Sequence, residues 1–245
     1  MHFRIASSLI VALALSTQSA FAVRPFITDD ARVVGDRAVQ VETWVRFDKR
    51  GLQHWVVPAF GPLRQLELSA GAVYGVQDGK LGAALPLLQL KVLALETKTA
   101  AFWPGLAFVV GTFGPYGVAP LKGENWDTFG YLALTESLAD NDRILVHQNL
   151  GGFVSASADG RWRSTVTWGV GTQIHVVKGL HVVAELFSGD PYAGTPTSAF
   201  QVGGRYFVSS IVQVDATFGH GLWGDSILPA WGSVGLRVAS NPGLW

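Results

Sequence analysis

The stretch from Arg161 to Val176, RWRSTVTWGVGTQIHV, alternates between two kinds of residue along its length. One face carries Trp162, Ser164, Val166, Trp168, Val170, Thr172, Ile174 and Val176. The other carries Arg161, Arg163, Thr165, Thr167, Gly169, Gly171, Gln173 and His175. A period of two predicts a β-strand with one apolar and one polar face. Sixteen residues is long for such a strand, since about five or six is usual in globular domains.

The split recurs. In Val39–Phe47, Gln40, Glu42, Trp44 and Arg46 oppose Val39, Val41, Val45 and Phe47. In Gln65–Tyr74, Gln65, Glu67, Ser69 and Gly71 oppose leucines, alanines and Tyr74. Leu180–Phe187, Ala199–Val208, Ile211–Gly219 and Trp231–Val238 repeat it, with His181, Glu185, Gln201, Arg205, Gln213, Asp215, Ser233 and Arg237 on the polar face. Five weaker segments, His54–Phe60, Leu87–Leu95, Phe102–Phe113, Thr128–Leu138 and Arg143–Ala156, bring the total to twelve. Pro58 and Pro104 weaken two of these, because Pro cannot donate to a ladder.

Connections support a barrel. From the fifth segment onward the long ones, Gly114–Asp127, Ser188–Ser198 and Gly221–Pro229, fall on one side when strands are counted from a periplasmic start. Outer-membrane barrels have short periplasmic turns and longer outer loops. The expected fold is all-β: a transmembrane, antiparallel, up-and-down β-barrel of about twelve strands over residues 39–238.

Composition agrees. The chain has 29 Gly, 9 Trp and 14 Phe and no Cys. Its mean hydropathy is positive. The missing cysteines exclude disulfides, thiolate catalysis and Cys-ligated zinc. Residues 1–22 read as a cleaved signal peptide: Arg4, an apolar run from Ile5 to Leu15, then Ala20-Phe21-Ala22. The alternative is an N-terminal anchor, for which the run is short. Beyond Ala22, 17 Lys and Arg face 18 Asp and Glu, so no basic excess favours nucleic acid.

Arg24–Val45, RPFITDDARVVGDRAVQVETWV, and Val212–Val238, VQVDATFGHGLWG followed by PAWGSVGLRV, resemble the family of MetA-pathway phenol-degradation proteins. Leu145–Gly152, LVHQNLGG, and Val182–Ser188, VVAELFS, are similar to it as well. The resemblance implies an outer-membrane transporter-like barrel. In many such barrels the last strand ends on an aromatic residue, whereas here ASNPGL separates Trp245 from the alternating segment. Residues 239–245 are therefore either a tail or the end of that strand.

The candidate chemistry lies on the inward face: Glu42, Trp44, Arg46, Glu67, Lys91, Arg163, His175, Glu185, Arg205, Asp215 and Arg237. Both signs around a lumen suit a selectivity zone. The competing reading is a lumen closed by ion pairs and by Trp44 and Phe187. Residues 23–38 precede the barrel on its periplasmic side. There Arg24, Asp29, Asp30 and Arg32 either plug the mouth by pairing with lumen charges or belong to a turn, which Thr28-Asp29-Asp30 would start readily. A calcium site would need six to eight oxygens.

Trp162, Trp223, Trp231 and Trp245 lie near strand ends, where indoles suit the membrane interface. His220 with Asp215 and Ser226, or His175 with Thr167, could suggest a hydrolase, but no Gly-x-Ser-x-Gly elbow occurs. His175 and His181 lack a third metal ligand. The expectation is a non-enzymatic channel without cofactor or metal. Its partners would be outer-membrane lipid, the barrel-insertion machinery and a small solute, which the family resemblance implies is apolar or aromatic. The alternatives are a non-conducting structural barrel, an outer-membrane hydrolase and a soluble secreted β-protein.

Overall fold

The computed structural model describes residues 26–98, 103–123, 125–139, 142–156, 161–190, 195–224 and 227–240. Twelve long strands form a closed antiparallel barrel: β1 (Val39–Asp48), β2 (Gly51–Leu63), β3 (Leu66–Gln77), β4 (Lys80–Leu95), β5 (Gly105–Phe113), β7 (Asp127–Ser137), β8 (Ile144–Ala156), β9 (Trp162–Val177), β10 (Leu180–Asp190), β11 (Thr195–Phe207), β12 (Val212–Trp223) and β13 (Trp231–Ala239). The two-residue β6 (Gly117–Val118) pairs with Ala83 and Ala84 of β4, where β4 outruns β5. Each long strand pairs with its neighbours in sequence, and β1 closes the ring on β13 from Gln40↔Ala239 to Asp48↔Trp231. Closure leaves no open edge, which a sheet in hydrocarbon requires.

The alternation determines which way each residue points. In β3, Glu67, Ser69, Gly71, Val73 and Gly75 are buried, while Leu68, Tyr74 and Val76 are exposed. In β12, Gln213, Asp215 and Thr217 are buried between exposed Val214 and Phe218. The exposed set runs around the outer wall as an apolar surface, and the buried set fills the interior. This is the inside-out arrangement of a barrel whose solvent is lipid. No helix among the described residues is long and apolar enough to cross a membrane, and the strands provide the crossing.

We call the end where β1 starts and β13 stops the terminal end, and the opposite one the loop end. At the loop end β3 turns into β4 through Asp78 and Gly79, with φ of 52° and 75°. Positive φ at both central residues is the type I′ hairpin that matches strand twist, and Asp-Gly favours it. The longest connection, residues 114–126, is also at the loop end. Pro58 lies within β2, opposite Val41, and faces outward. Between β4 and β5, at the terminal end, Lys98 and Trp103 are joined by an isolated antiparallel bridge.

Candidate functional site

Residues 26–34 run through the barrel interior from the terminal end. Phe26, Thr28, Asp29, Asp30, Ala31, Val33 and Val34 are all buried. They belong to no strand, so their peptide groups need partners from elsewhere. Wall side chains supply them. Glu185 accepts from the N–H groups of Ile27 and Thr28, both at 2.8 Å. Asn149 Oδ1 accepts from Asp29 N–H at 2.6 Å, and its Nδ2 donates to the Asp29 carbonyl at 2.9 Å. Thr135 Oγ1 accepts from Ala31 N–H at 2.8 Å, and Glu67 Oε2 from Val34 N–H at 2.8 Å. Strands β3, β7, β8 and β10 thus hold one irregular segment.

Asp29 is the segment's main charged anchor. Its carboxylate accepts from Lys91 Nζ at 2.9 Å and from the Tyr131 hydroxyl at 3.0 Å, while Asp30 lies 3.7 Å from the same ammonium. Lys91 is fully buried, and a buried charge needs this degree of pairing. Arg32 extends to Asp142 at 2.7 Å, beside the connection between β7 and β8. Glycines make room for the segment: a Cβ on Gly169 would sit 2.3 Å from Thr28 Oγ1, and one on Gly171 would sit 3.1 Å from the Phe26 ring.

Of the lumen candidates, Glu42, Trp44, Arg46, Glu67, Lys91, Glu185, Arg205, Asp215 and Arg237 are buried inside the barrel. Arg237 Nε donates to Gln40 Oε1 at 2.9 Å and lies 3.9 Å from Glu42, its cross-strand partner. Arg205 is in register with Asp215, donates to Gln173 and lies over the Phe26 ring at 5.6 Å. His175 is half-buried near the terminal end, its ring 4.9 Å from that of His181. Trp44 stacks on Trp55, with centroids 5.7 Å apart and planes within 8°. Arg24 lies outside the described residues.

Arg163 is located at the rim, and the expectation for Trp231 is corrected. Arg163 shares the inward parity of Gly169 and Gln173 but is exposed near the loop-end rim, because β9 begins at Trp162 and rises beyond the packed interior. Trp231 is not an interface residue. It is 2% exposed, packed against Phe187, Ala199 and Leu228, with the Arg46 guanidinium 4.6 Å above its ring. Its indole N–H donates to Gln201 Oε1 at 3.2 Å. Strand parity places it inward with Ser233 and Arg237, and Gly219 opposite leaves space for the ring. Trp162 and Trp223 are exposed at strand ends, and Trp245 lies outside the described residues.

An inner and an outer cavity lie within the barrel among the described residues. The inner one, about 90 Å³, lies between the N-terminal segment and the aromatic rings of Phe113, Phe129, Tyr131 and Phe153. The outer one, about 290 Å³, opens at the loop end among Arg46, Asp48, Arg50, Trp55, Gln77 and Asp127. Phe113 and Phe153 line both and form the partition between them. At the outer rim Arg50 donates to Asp78 at 2.7 Å and holds that carboxyl below its usual range. The candidate hydrolase pairs do not assemble: Asp215 is buried inside while His220 is exposed on the opposite face, and His175 lies eight residues along the strand from Thr167. Ser226 lies outside the described residues.

The family described as Uncharacterised conserved protein UCP029691 matches residues 10–239. The chain belongs to that family. No curated protein matches it. Among solved structures, the chain is similar to the COG4313 outer membrane channel from Pseudomonas putida F1, with a TM-score of 0.63 at 11% identity, over 86% of this chain and 98% of that one. It is also similar to the KdgM porin in complex with disordered oligogalacturonate, with a TM-score of 0.60 at 10% identity, covering 82% and 99%. The NanC porin follows at 0.55 and 9%, covering 82% and 98%. At these identities the likeness establishes the fold, that of outer-membrane channel barrels.

Several residues that hold the segment were not among the sequence candidates: Tyr131, Thr135, His147 and Asn149 on β7 and β8. His147 and Asn149 stand two apart on one polar face, the signal that would have found them. Thr135 also hydrogen-bonds His147 Nδ1 at 3.0 Å.

Proposed function

We propose that this protein is a bacterial outer-membrane channel for small solutes, closed at its periplasmic end by its own N-terminal segment. The observation that carries the proposal is the insertion of residues 26–34 among the wall side chains. Asp29 is paired with Lys91, and five of the segment's peptide N–H groups are bonded to Glu185, Asn149, Thr135 and Glu67. A segment held by side chains can leave without breaking the barrel ladder. The fold shared with outer-membrane channels supports the location and the class. With the terminal end in the periplasm, the long loops face outward.

The solute would be apolar or aromatic. The inner wall of β1–β5 and β7 supports this with Trp44, Trp55, Val57, Val73, Leu87, Val109, Phe113 and Phe129. The resemblance to MetA-pathway phenol-degradation proteins points the same way. Outer-membrane lipid and the insertion machinery would be its standing partners.

The test is single-channel conductance of the refolded protein in a planar bilayer, with and without residues 23–38. Openings that appear or widen on truncation support a plugged channel. Equal conductance in both forms would remove the plug, and silence in both would favour a non-conducting barrel.

A further inference from the structure

Glu67 and Lys91 stand directly opposite each other in the β3–β4 register, the arrangement in which opposite charges normally pair. They make no direct ion pair here, although the ammonium stays close enough to act on the carboxylate. Lys91 Nζ is directed to Asp29 at 2.9 Å and Asp30 at 3.7 Å. Glu67, 3% exposed, has only neutral donors: Val34 N–H at 2.8 Å and Ser69 Oγ at 3.3 Å. No Lys or Arg among the described residues forms an ion pair with it.

The carboxylate borders the inner cavity. Among the described residues, every charged one lining that cavity is an acid: Asp29, Glu42 and Glu67. Lys91, which pairs with Asp29, and Arg237, which lies 3.9 Å from Glu42, do not line it. The rest of the wall includes the rings of Phe113, Phe129, Tyr131 and Phe153, whose faces attract cations within about 6 Å. The excess is not only local. Among the described residues, six buried acids (Asp29, Asp30, Glu42, Glu67, Glu185 and Asp215) face four buried bases (Arg46, Lys91, Arg205 and Arg237).

We infer that the inner cavity binds a small organic cation, an alkylammonium whose charge meets Glu67 and whose apolar body lies against the aromatic wall. An anion would face three carboxylates at short range. A neutral solute would leave Glu67 with no cation in direct contact, since the nearby Lys91 ammonium is taken up by Asp29 and Asp30, and a buried carboxylate gains from a contacting charge. Size sets the scale. A cavity of roughly 150 Å³ accepts benzene, so 90 Å³ suits a ligand of about four heavy atoms. The inference adds a cationic class, with an apolar body, to the apolar or aromatic solutes proposed above, and rests on the channel reading for its biological purpose. Binding itself needs no conduction, so the two can fail separately.

Three probes of equal heavy-atom count and different charge test it: isopropylammonium, isopropanol and acetate, titrated into the full-length protein in maltoside micelles and followed by ligand-observed saturation-transfer NMR. We expect isopropylammonium to bind at least ten-fold tighter than either of the others, and Glu67→Gln to abolish the difference. The amide oxygen introduced by that substitution would still accept from Val34 N–H, so the variant's heat-modifiable gel shift should match the parent. If that variant does not fold, the three-probe comparison on the parent protein decides alone. Equal binding of the probes, tighter binding of acetate, or cation binding unchanged in a folded Glu67→Gln would each overturn the inference. Displacement by equimolar sodium would also overturn it, because the site would then take any monovalent cation. A barrel that is silent in bilayers yet binds isopropylammonium would retain the site and lose the channel.

Discussion

At the residue scale, the interior depends on positions where one side chain's size is set by another's. Gly169 is the clearest case, because a Cβ there would lie 2.3 Å from Thr28 Oγ1. Gly169→Val should push the N-terminal segment off β9 while leaving the ladder intact, since β-branched residues suit strands. A cysteine at position 28 reports this: we expect a water-soluble thiol reagent to label it in the Gly169→Val background and not in the parent. Absence of labelling would show that the segment can shift to accommodate the valine. Trp231 is the opposite case, a large ring enclosed by Phe187, Ala199 and Leu228. Trp231→Ala should cost about 3–5 kcal/mol in urea unfolding, the usual range for emptying a buried aromatic site. Gln201 would also lose the donor to its amide oxygen, and Arg46 the ring beneath it.

At the element scale, the strands follow from a period of two and the N-terminal segment does not. All twelve alternating segments became strands, because a buried interior and a lipid-facing wall impose opposite polarity on successive residues. The weak segments at the two prolines formed as well, Pro58 inside β2 and Pro104 just ahead of β5, since closure of the barrel supplies pairing that local propensity does not. Trp231 shows where one signal should override another. Its position near a strand end suggests the interface, yet Ser233 and Arg237 on the same face already indicate inward parity. Residues 26–34 carry no comparable pattern. Their partners lie 120 and 157 positions away, at Asn149 and Glu185, so Thr28-Asp29-Asp30 shows what it can bond but not with what. The lipid-facing register has its own test. Val170, ninth of the sixteen residues of β9 and 49% exposed, should tolerate Leu, whereas Val170→Arg should destabilise the barrel by about 2–4 kcal/mol if it lies near the bilayer midplane. Equal refolding midpoints for the two variants would place this residue away from lipid.

At the scale of the whole molecule, the N-terminal segment changes the charge of the interior as well as its width. With the segment in place, six buried acids face four buried bases among the described residues. Asp29 and Asp30 account for the difference. Deleting residues 23–38 removes both and leaves Glu42, Glu67, Glu185 and Asp215 against Arg46, Lys91, Arg205 and Arg237, four of each sign. Lys91 then loses its partners on the segment and has Glu67 directly opposite in register, so the cross-strand pair can form. Selectivity in a narrow pore follows the sign of the charges that line it. In a potassium chloride gradient the truncated barrel should therefore show a reversal potential near zero. Restoring one acid by Ser69→Glu in the truncated form should move the potential toward that of potassium. A strongly anion-selective truncated barrel would mean that Arg46, Lys91, Arg205 and Arg237 face the path while the acids do not, and the balanced lumen would have to be redrawn.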